Sequence, residues 1–156
     1  MQLSNIVHPE LININLNAQD KKEAITQLAN LMEQSGVVVS ADDFANAVFE
    51  REALTTTAIG FGVAIPHARS SAVNKPGVAI GRSSGFYWDK EIDSPINLVF
   101  LLAVPEKIDS PEYMGILASI SRMLVYEDFR KSLIEANDVS ELIAIISNGN
   151  KYLVNQ

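Results

Sequence analysis

The sequence contains no cysteine. Disulfide frameworks, cysteine zinc sites, iron–sulfur clusters and thiol nucleophiles are thereby excluded. Histidine is scarce too, with only His8 and His67, and no acidic cluster stands at a ligand spacing from His67, so no metal is expected. Positive charge is in short supply. Twelve Lys and Arg face nineteen Asp and Glu, a formal charge of −7, which repels phosphate backbones and the anionic leaflet of a membrane. Nucleic acid is not an expected partner. No run reaches the ~18 apolar residues of a spanning helix, and the first ten residues lack a cationic start followed by an apolar stretch. Direct membrane insertion is not expected, and the cytoplasm is the expected location. The phosphate loop G-x-x-x-x-G-K-[ST] is absent, and Gly60-Phe61-Gly62 opens a dinucleotide fingerprint whose third glycine position holds Ile65. No cofactor is implied.

What is present is an ordinary globular composition, 156 residues with 47% apolar and 20% charged, suited to a single domain over 1–156. Ile12, Ile14 and Leu16 alternate with Asn13 and Asn15, which predicts a half-buried strand over Leu11 to Leu16 near a sheet edge. Ile25, Leu28 and Met32 recur at helical spacing after Asn17 and Asp20, predicting a helix over 18–34. Ser40 and Asp43 start a second helix whose one face carries Phe44, Ala47, Val48 and then Arg51. Val63 to Ile65 form a strand cut off by Pro66. Gly77 to Arg82 and Leu98 to Val104 are further strands, the second being seven consecutive apolar residues, the pattern of a strand covered on both faces. Ser110 as cap with Pro111 at the first helical position starts another helix, and helices over 127–136 and 139–148 follow. The mixture predicts an α/β protein, a three-layer α/β/α sandwich with a mixed central sheet. The strand order is not readable.

Gly81-Arg82-Ser83-Ser84-Gly85 matches the nucleophile elbow of α/β-hydrolases. That triad needs an acid and a histidine after the serine, and both histidines precede Ser83. His67 is the stronger candidate. It follows a proline-stopped strand, and the amides of Ala68 to Ser71 could turn towards an anion. An imidazole near its ordinary pKa of ~6.5 offers a lone pair at neutral pH and can accept a phosphoryl group. Arg51 closes an apolar helix face, so its head lies inward or at the rim, where a permanently charged fork steadies phosphate; a helix-end cation completing the dipole is the competing reading. Thr55, Thr56 and Thr57 add hydroxyls between the two.

The run Glu50-Arg51-Glu52, Leu54-Thr55-Thr56, Gly60, Gly62, then Val63-Ala64-Ile65-Pro66-His67-Ala68-Arg69 resembles the signature of the type 2 enzyme IIA domain, fructose and mannitol class, of the phosphoenolpyruvate-dependent sugar phosphotransferase system. Val78 to Ser83, Asn97 to Leu102 and Asp128-Phe129-Arg130 extend the resemblance over nearly the whole chain. It implies that His67 accepts phosphate from the phosphocarrier HPr and passes it to a IIB component working with a membrane IIC, with Arg51 beside the phosphohistidine. Thr56 and Ser70 are further site-lining candidates. The family's second histidine is replaced by Tyr113, which donates only a neutral hydrogen bond; exchanging a charged bond of ~1.5–3 kcal/mol for a neutral one of ~0.5–1.5 kcal/mol slows transfer about tenfold. Two alternatives accompany the sugar relay: a nitrogen-type regulatory IIA that binds target proteins according to its phosphorylation, and a degenerate member that takes no phosphate. The HPr docking surface is expected at Phe61, Ile65 and Met114.

Overall fold

Four helices begin where a side-chain oxygen takes up an otherwise unpaired amide of the first turn. Asp20 accepts from Glu23 at 2.9 Å to start α1 (Lys21–Gln34), and Ser40 accepts from Asp43 at 3.1 Å to start α2 (Ala41–Leu54). Asp109 accepts from Glu112 at 2.9 Å to start α3 (Ser110–Leu124), and Asp138 accepts from Glu141 at 2.8 Å to start α5 (Val139–Ser147). Two expectations shift accordingly. The first helix starts at Lys21 rather than 18 because Asp20 holds the cap, and Asp109 rather than Ser110 caps α3. Between the last two lies α4 (Glu127–Glu135), and a short α6 (Lys151–Val154) ends the computed structural model, which describes residues 2–154. Positions 1, 155 and 156 of the expected 1–156 domain lie outside the described residues.

Among the described residues six strands form one mixed sheet: β1 (Ile12–Asn13), β2 (Ala58–Gly60), β3 (Val63–Ala64), β4 (His67–Ser70), β5 (Gly77–Phe86) and β6 (Ile96–Pro105). The order is β1-β5-β6-β3-β2, with β4 also on β6. β1 does lie at the edge, but it is two residues long, because Asn13 accepts from the Asn15 amide at 3.0 Å and turns the chain out of the ladder. β5 runs antiparallel to β6, while β3 and β4 both run parallel to it. With β5 on one side of β6, β3 and β4 share the other, as two pieces of one interrupted strand. Val63 and Ala64 stand opposite Leu98 and Val99, and His67 to Ser70 stand opposite Leu102 to Pro105. Pro66 makes the break, having no amide to donate, yet its carbonyl still accepts from Leu102 at 3.0 Å. Among the described residues no strand pairs with the outer edge of β4.

Successive β6 side chains enter two cores, which explains its unbroken apolar run. Val99, Leu101 and Ala103 pack with Ile25, Leu28 and Met32 of α1 and Phe44 and Val48 of α2. Leu98, Phe100 and Leu102 pack with Ile116 and Ile120 of α3, Phe129 of α4 and Leu142 and Ile146 of α5. The three-layer sandwich is thus realised. Among the described residues no helix is long and apolar enough to cross a membrane.

The stretch from Gly81 to Gly85 lies inside β5 and makes no elbow. Arg82 is a fastening. Its Nε donates to the Ile14 carbonyl at 3.2 Å, and its Nη1 donates to the carbonyls of Leu133, Ile134 and Ala136 at 3.0, 3.1 and 2.6 Å. Those last three are the unpaired acceptors at the end of α4.

Candidate functional site

His67 opens β4, directly after the break at Pro66. Its side chain is buried, with 7% of its surface exposed, and Nδ1 lies 2.7 Å from the Ile65 carbonyl oxygen. A carbonyl only accepts, so Nδ1 carries the hydrogen and donates it. Nε2 is left with the lone pair. Burial is the main force holding the imidazole pKa below its ordinary 6.5; the bond to Ile65 raises it, the Arg51 guanidinium lowers it again, and the Glu52 carboxylate opposes that. The result is a neutral ring at neutral pH with one nucleophilic nitrogen.

Alternation along a strand puts His67 and Arg69 on one face of the sheet and Ala68 and Ser70 on the other. On the first face, Tyr113 in the opening turn of α3 meets the imidazole edge to face, with centroids 5.9 Å apart. The Arg69 guanidinium lies 5.8 Å from the centre of the same tyrosine ring. Arg51 reaches the site from the last turn of α2, where its Nη1 donates to the Thr55 carbonyl at 3.0 Å. Its head lies at the rim, half-buried, consistent with both readings made from sequence. A cleft of about 520 Å³ is lined by Ala47, Glu50, Arg51, Leu54, Ala68, Arg69 and Tyr113. It runs beside β4, between α2 and the start of α3. Burial, more than either nearby arginine, governs Tyr113, and its hydroxyl pKa is pushed up to about 12. The phenol stays neutral throughout the physiological range.

The structure therefore brings His67, Arg51 and Tyr113 together. Thr56 and Ser70 are placed elsewhere. The Thr56 hydroxyl donates to Glu52 at 3.4 Å and accepts from the Ala58 amide at 3.2 Å, and the residue lines a neighbouring cleft with Lys21 and Asp89. Ser70 is three residues along an extended strand from His67, about 10 Å away and on the opposite face, with its hydroxyl accepting from the Ala72 amide at 3.0 Å. The amides of Ala68 to Ser70 do not gather round an anion, because these residues pair with β6. The docking trio separates as well. Ile65 is buried, whereas Met114 and Phe61 are exposed at opposite ends of α3: Phe61 stacks on Arg130 at 4.3 Å, and Arg130 donates to the carbonyls of Leu124 and Val125 at 2.8 Å.

One participant was not foreseen. Glu52, next to Arg51, is buried and accepts from Trp88 Nε1 at 2.7 Å, from the Thr57 hydroxyl at 2.7 Å and from the Thr57 amide at 3.0 Å. It ties the end of α2 to the following segment and to the residues after β5. The available signal was the single tryptophan, whose N–H needs an acceptor when buried.

A buried imidazole whose Nδ1 is engaged by backbone, under the electrostatic influence of a nearby guanidinium, is equipment for carrying an anionic group on histidine. The chain belongs to the family "Phosphoenolpyruvate-dependent sugar phosphotransferase system, EIIA 2", which it matches over residues 5–149, and members of this class are phosphotransferases that work through a phosphohistidine. It is 39% identical over 135 residues to the fructose-specific EIIA component of Haloferax volcanii, covering 86% of this chain and 87% of that protein. It is 32% identical over 157 residues to a nitrogen regulatory protein of Bradyrhizobium diazoefficiens, covering 94% and 95%. The crystal structure of the nitrogen regulatory protein IIA-Ntr from Neisseria meningitidis superimposes with a TM-score of 0.83 at 27% identity, covering 92% of this chain and 97% of that one.

Proposed function

We propose that this protein is a cytoplasmic phosphoryl relay in which His67 takes phosphate from HPr and passes it to a IIB component, in the uptake of a fructose- or mannitol-like sugar through a membrane IIC. The observation that carries the reading is the 2.7 Å contact from His67 Nδ1 to the Ile65 carbonyl. Nε2 attacks the phosphorus of the donor phosphohistidine; the new N–P bond forms as the donor N–P bond breaks, and that electron pair returns to the donor nitrogen. The Nδ1 proton stays in place. The Ile65 carbonyl then faces the charge that develops on the phosphorylated ring, while Arg51 meets the phosphoryl oxygens. Transfer to IIB is the same displacement with His67 as leaving group. Family membership and 39% identity to a fructose-specific EIIA support the sugar assignment.

The test is incubation with phosphoenolpyruvate, enzyme I and HPr, followed by intact mass before and after acid. Acid-labile phosphate on the wild type and none on His67→Ala is the expected result. An unlabelled wild type beside fully phosphorylated HPr refutes the relay and leaves the degenerate reading. The second reading, a regulatory IIA, draws on the likeness to nitrogen regulatory proteins. Phosphate on His67 adds nearly two negative charges to the docking face, so that reading requires phosphorylation to change the binding of a target protein without onward transfer to any IIB.

A further inference from the structure

The cleft beside β4 has arginines on both walls, and only one of them has a role so far. Arg51 comes from α2; Arg69 comes from β4 itself, on the same face as His67 and two residues beyond it. Arg69 Nη1 donates to the Ile108 carbonyl at 2.9 Å and to the Ser110 hydroxyl at 3.2 Å. This anchor uses one nitrogen of five-donor guanidinium chemistry. Nε and Nη2 have no hydrogen-bond partner among the described residues. The fork is held by its anchored end, close to the ring that Tyr113 sets against His67. Flexibility, the usual entropic cost of using a long side chain, has already been reduced by the two bonds.

Charge bookkeeping points the same way. The phosphoryl group in transit carries negative charge over its three outer oxygens, and the site answers that charge best with donors already fixed in place. Tyr113 offers one neutral hydroxyl. The Arg69 guanidinium lies 5.8 Å from the centre of that ring, and Arg51 lines the same cleft as both.

Building on the relay reading, we propose that Arg69 is a second phosphoryl-binding cation, closing with Arg51 around the group on His67 and supplying the charge that Tyr113 cannot. The roles then divide: His67 Nε2 forms the bond, the two arginines bind the oxygens, and Tyr113 packs between them. Arg69 also secures the start of α3, so an effect of truncation on transfer alone does not decide the matter.

The experiment follows the rate of labelling from phospho-HPr by intact mass in the full chain, with thermal melting of every variant. Arg69→Ala is expected to slow labelling about tenfold or more, the size of one charge-assisted hydrogen bond, with Arg69→Lys recovering part of the rate. The double variant Arg69→Ala/Tyr113→His, which restores a cationic group on the α3 side, is expected to recover rate without recovering melting temperature. Three results overturn the proposal: Arg69→Ala labelling at the wild-type rate; a loss that neither Arg69→Lys nor the double variant relieves, which marks Arg69 as an α3 anchor only; and a recovery of rate that tracks melting temperature throughout. A wild type that takes no label removes the relay and this inference with it. A wild type that labels while Arg69→Ala is unaffected removes the inference alone.

Discussion

Arg82 and Arg51 are the same residue type in different surroundings. Arg82, opposite Leu98, is bonded to four backbone carbonyls drawn from β1's exit and the end of α4. Arg51, at the end of α2 beside the β4 edge, gives one hydrogen bond among the described residues, to Thr55. A guanidinium whose donors are committed to carbonyls holds the fold. One that keeps donors uncommitted at the wall of a cleft is available to an anion. Residue type and local pattern do not separate these two; the count of satisfied donors does.

The comparison can be broken most completely at His67. His67→Ala is expected to abolish acid-labile phosphate entirely, read by intact mass, while the melting temperature moves by only a few degrees. Next in size is the contrast of the arginines themselves. Arg51→Ala should lower the labelling rate ten- to a hundredfold, as loss of a charged-partner bond implies, and leave urea unfolding within about 0.5 kcal/mol of wild type. Arg82→Ala should do the reverse, costing about 2–4 kcal/mol in urea unfolding by orphaning α4's carbonyls, with the labelling rate of the folded fraction within about twofold. Swapped outcomes would erase the distinction.

A smaller effect lies in pH. The His67 pKa is lowered on folding, chiefly by burial, so the unfolded chain takes up the proton first as pH falls through its ordinary 6.5. Stability is therefore full above that pH and declines as pH falls below it, until the folded imidazole also titrates. Urea midpoints measured from pH 8 to pH 5 should show a steeper acid decline for wild type than for His67→Gln; parallel curves would remove His67 as its source. The smallest effect concerns Tyr113. With Arg69 supplying charge, Tyr113→His in the wild-type background should speed labelling by only about threefold, less than the tenfold expected from the sequence difference alone.

Much of the architecture is legible in the sequence. Asp20, Ser40 and Asp138 are capping residues with apolar stripes below them, and the seven apolar residues of β6 announced coverage on both sides. Arg51 and His67 could be singled out because one closes an apolar helix face and the other follows a proline-stopped strand, and the structure brings them near enough to interact electrostatically. The failures share a physical cause, which is that partners distant in sequence decided them. His-Ala-Arg-Ser carries no strand pattern, yet it pairs with β6 because Pro66 interrupts the edge without ending it. β5 runs on through polar Ser83 and Ser84 because a register shift between Arg82 and Phe86 lets Phe86 rejoin opposite Ile96. Thr56 looked like a site hydroxyl, but buried Glu52 claims it together with Thr57 and Trp88.

The break at Pro66 bears on the regiochemistry of the proposed relay. Phosphohistidine exists as two isomers, one on each ring nitrogen, which differ in how readily they hydrolyse and in which enzymes accept them. At His67 the backbone engages Nδ1 by bonding it to Ile65, so the proposed relay has Nε2 as its phosphorylated nitrogen. A strand that stops and restarts thus supplies the proposed relay with a protecting group built from main chain.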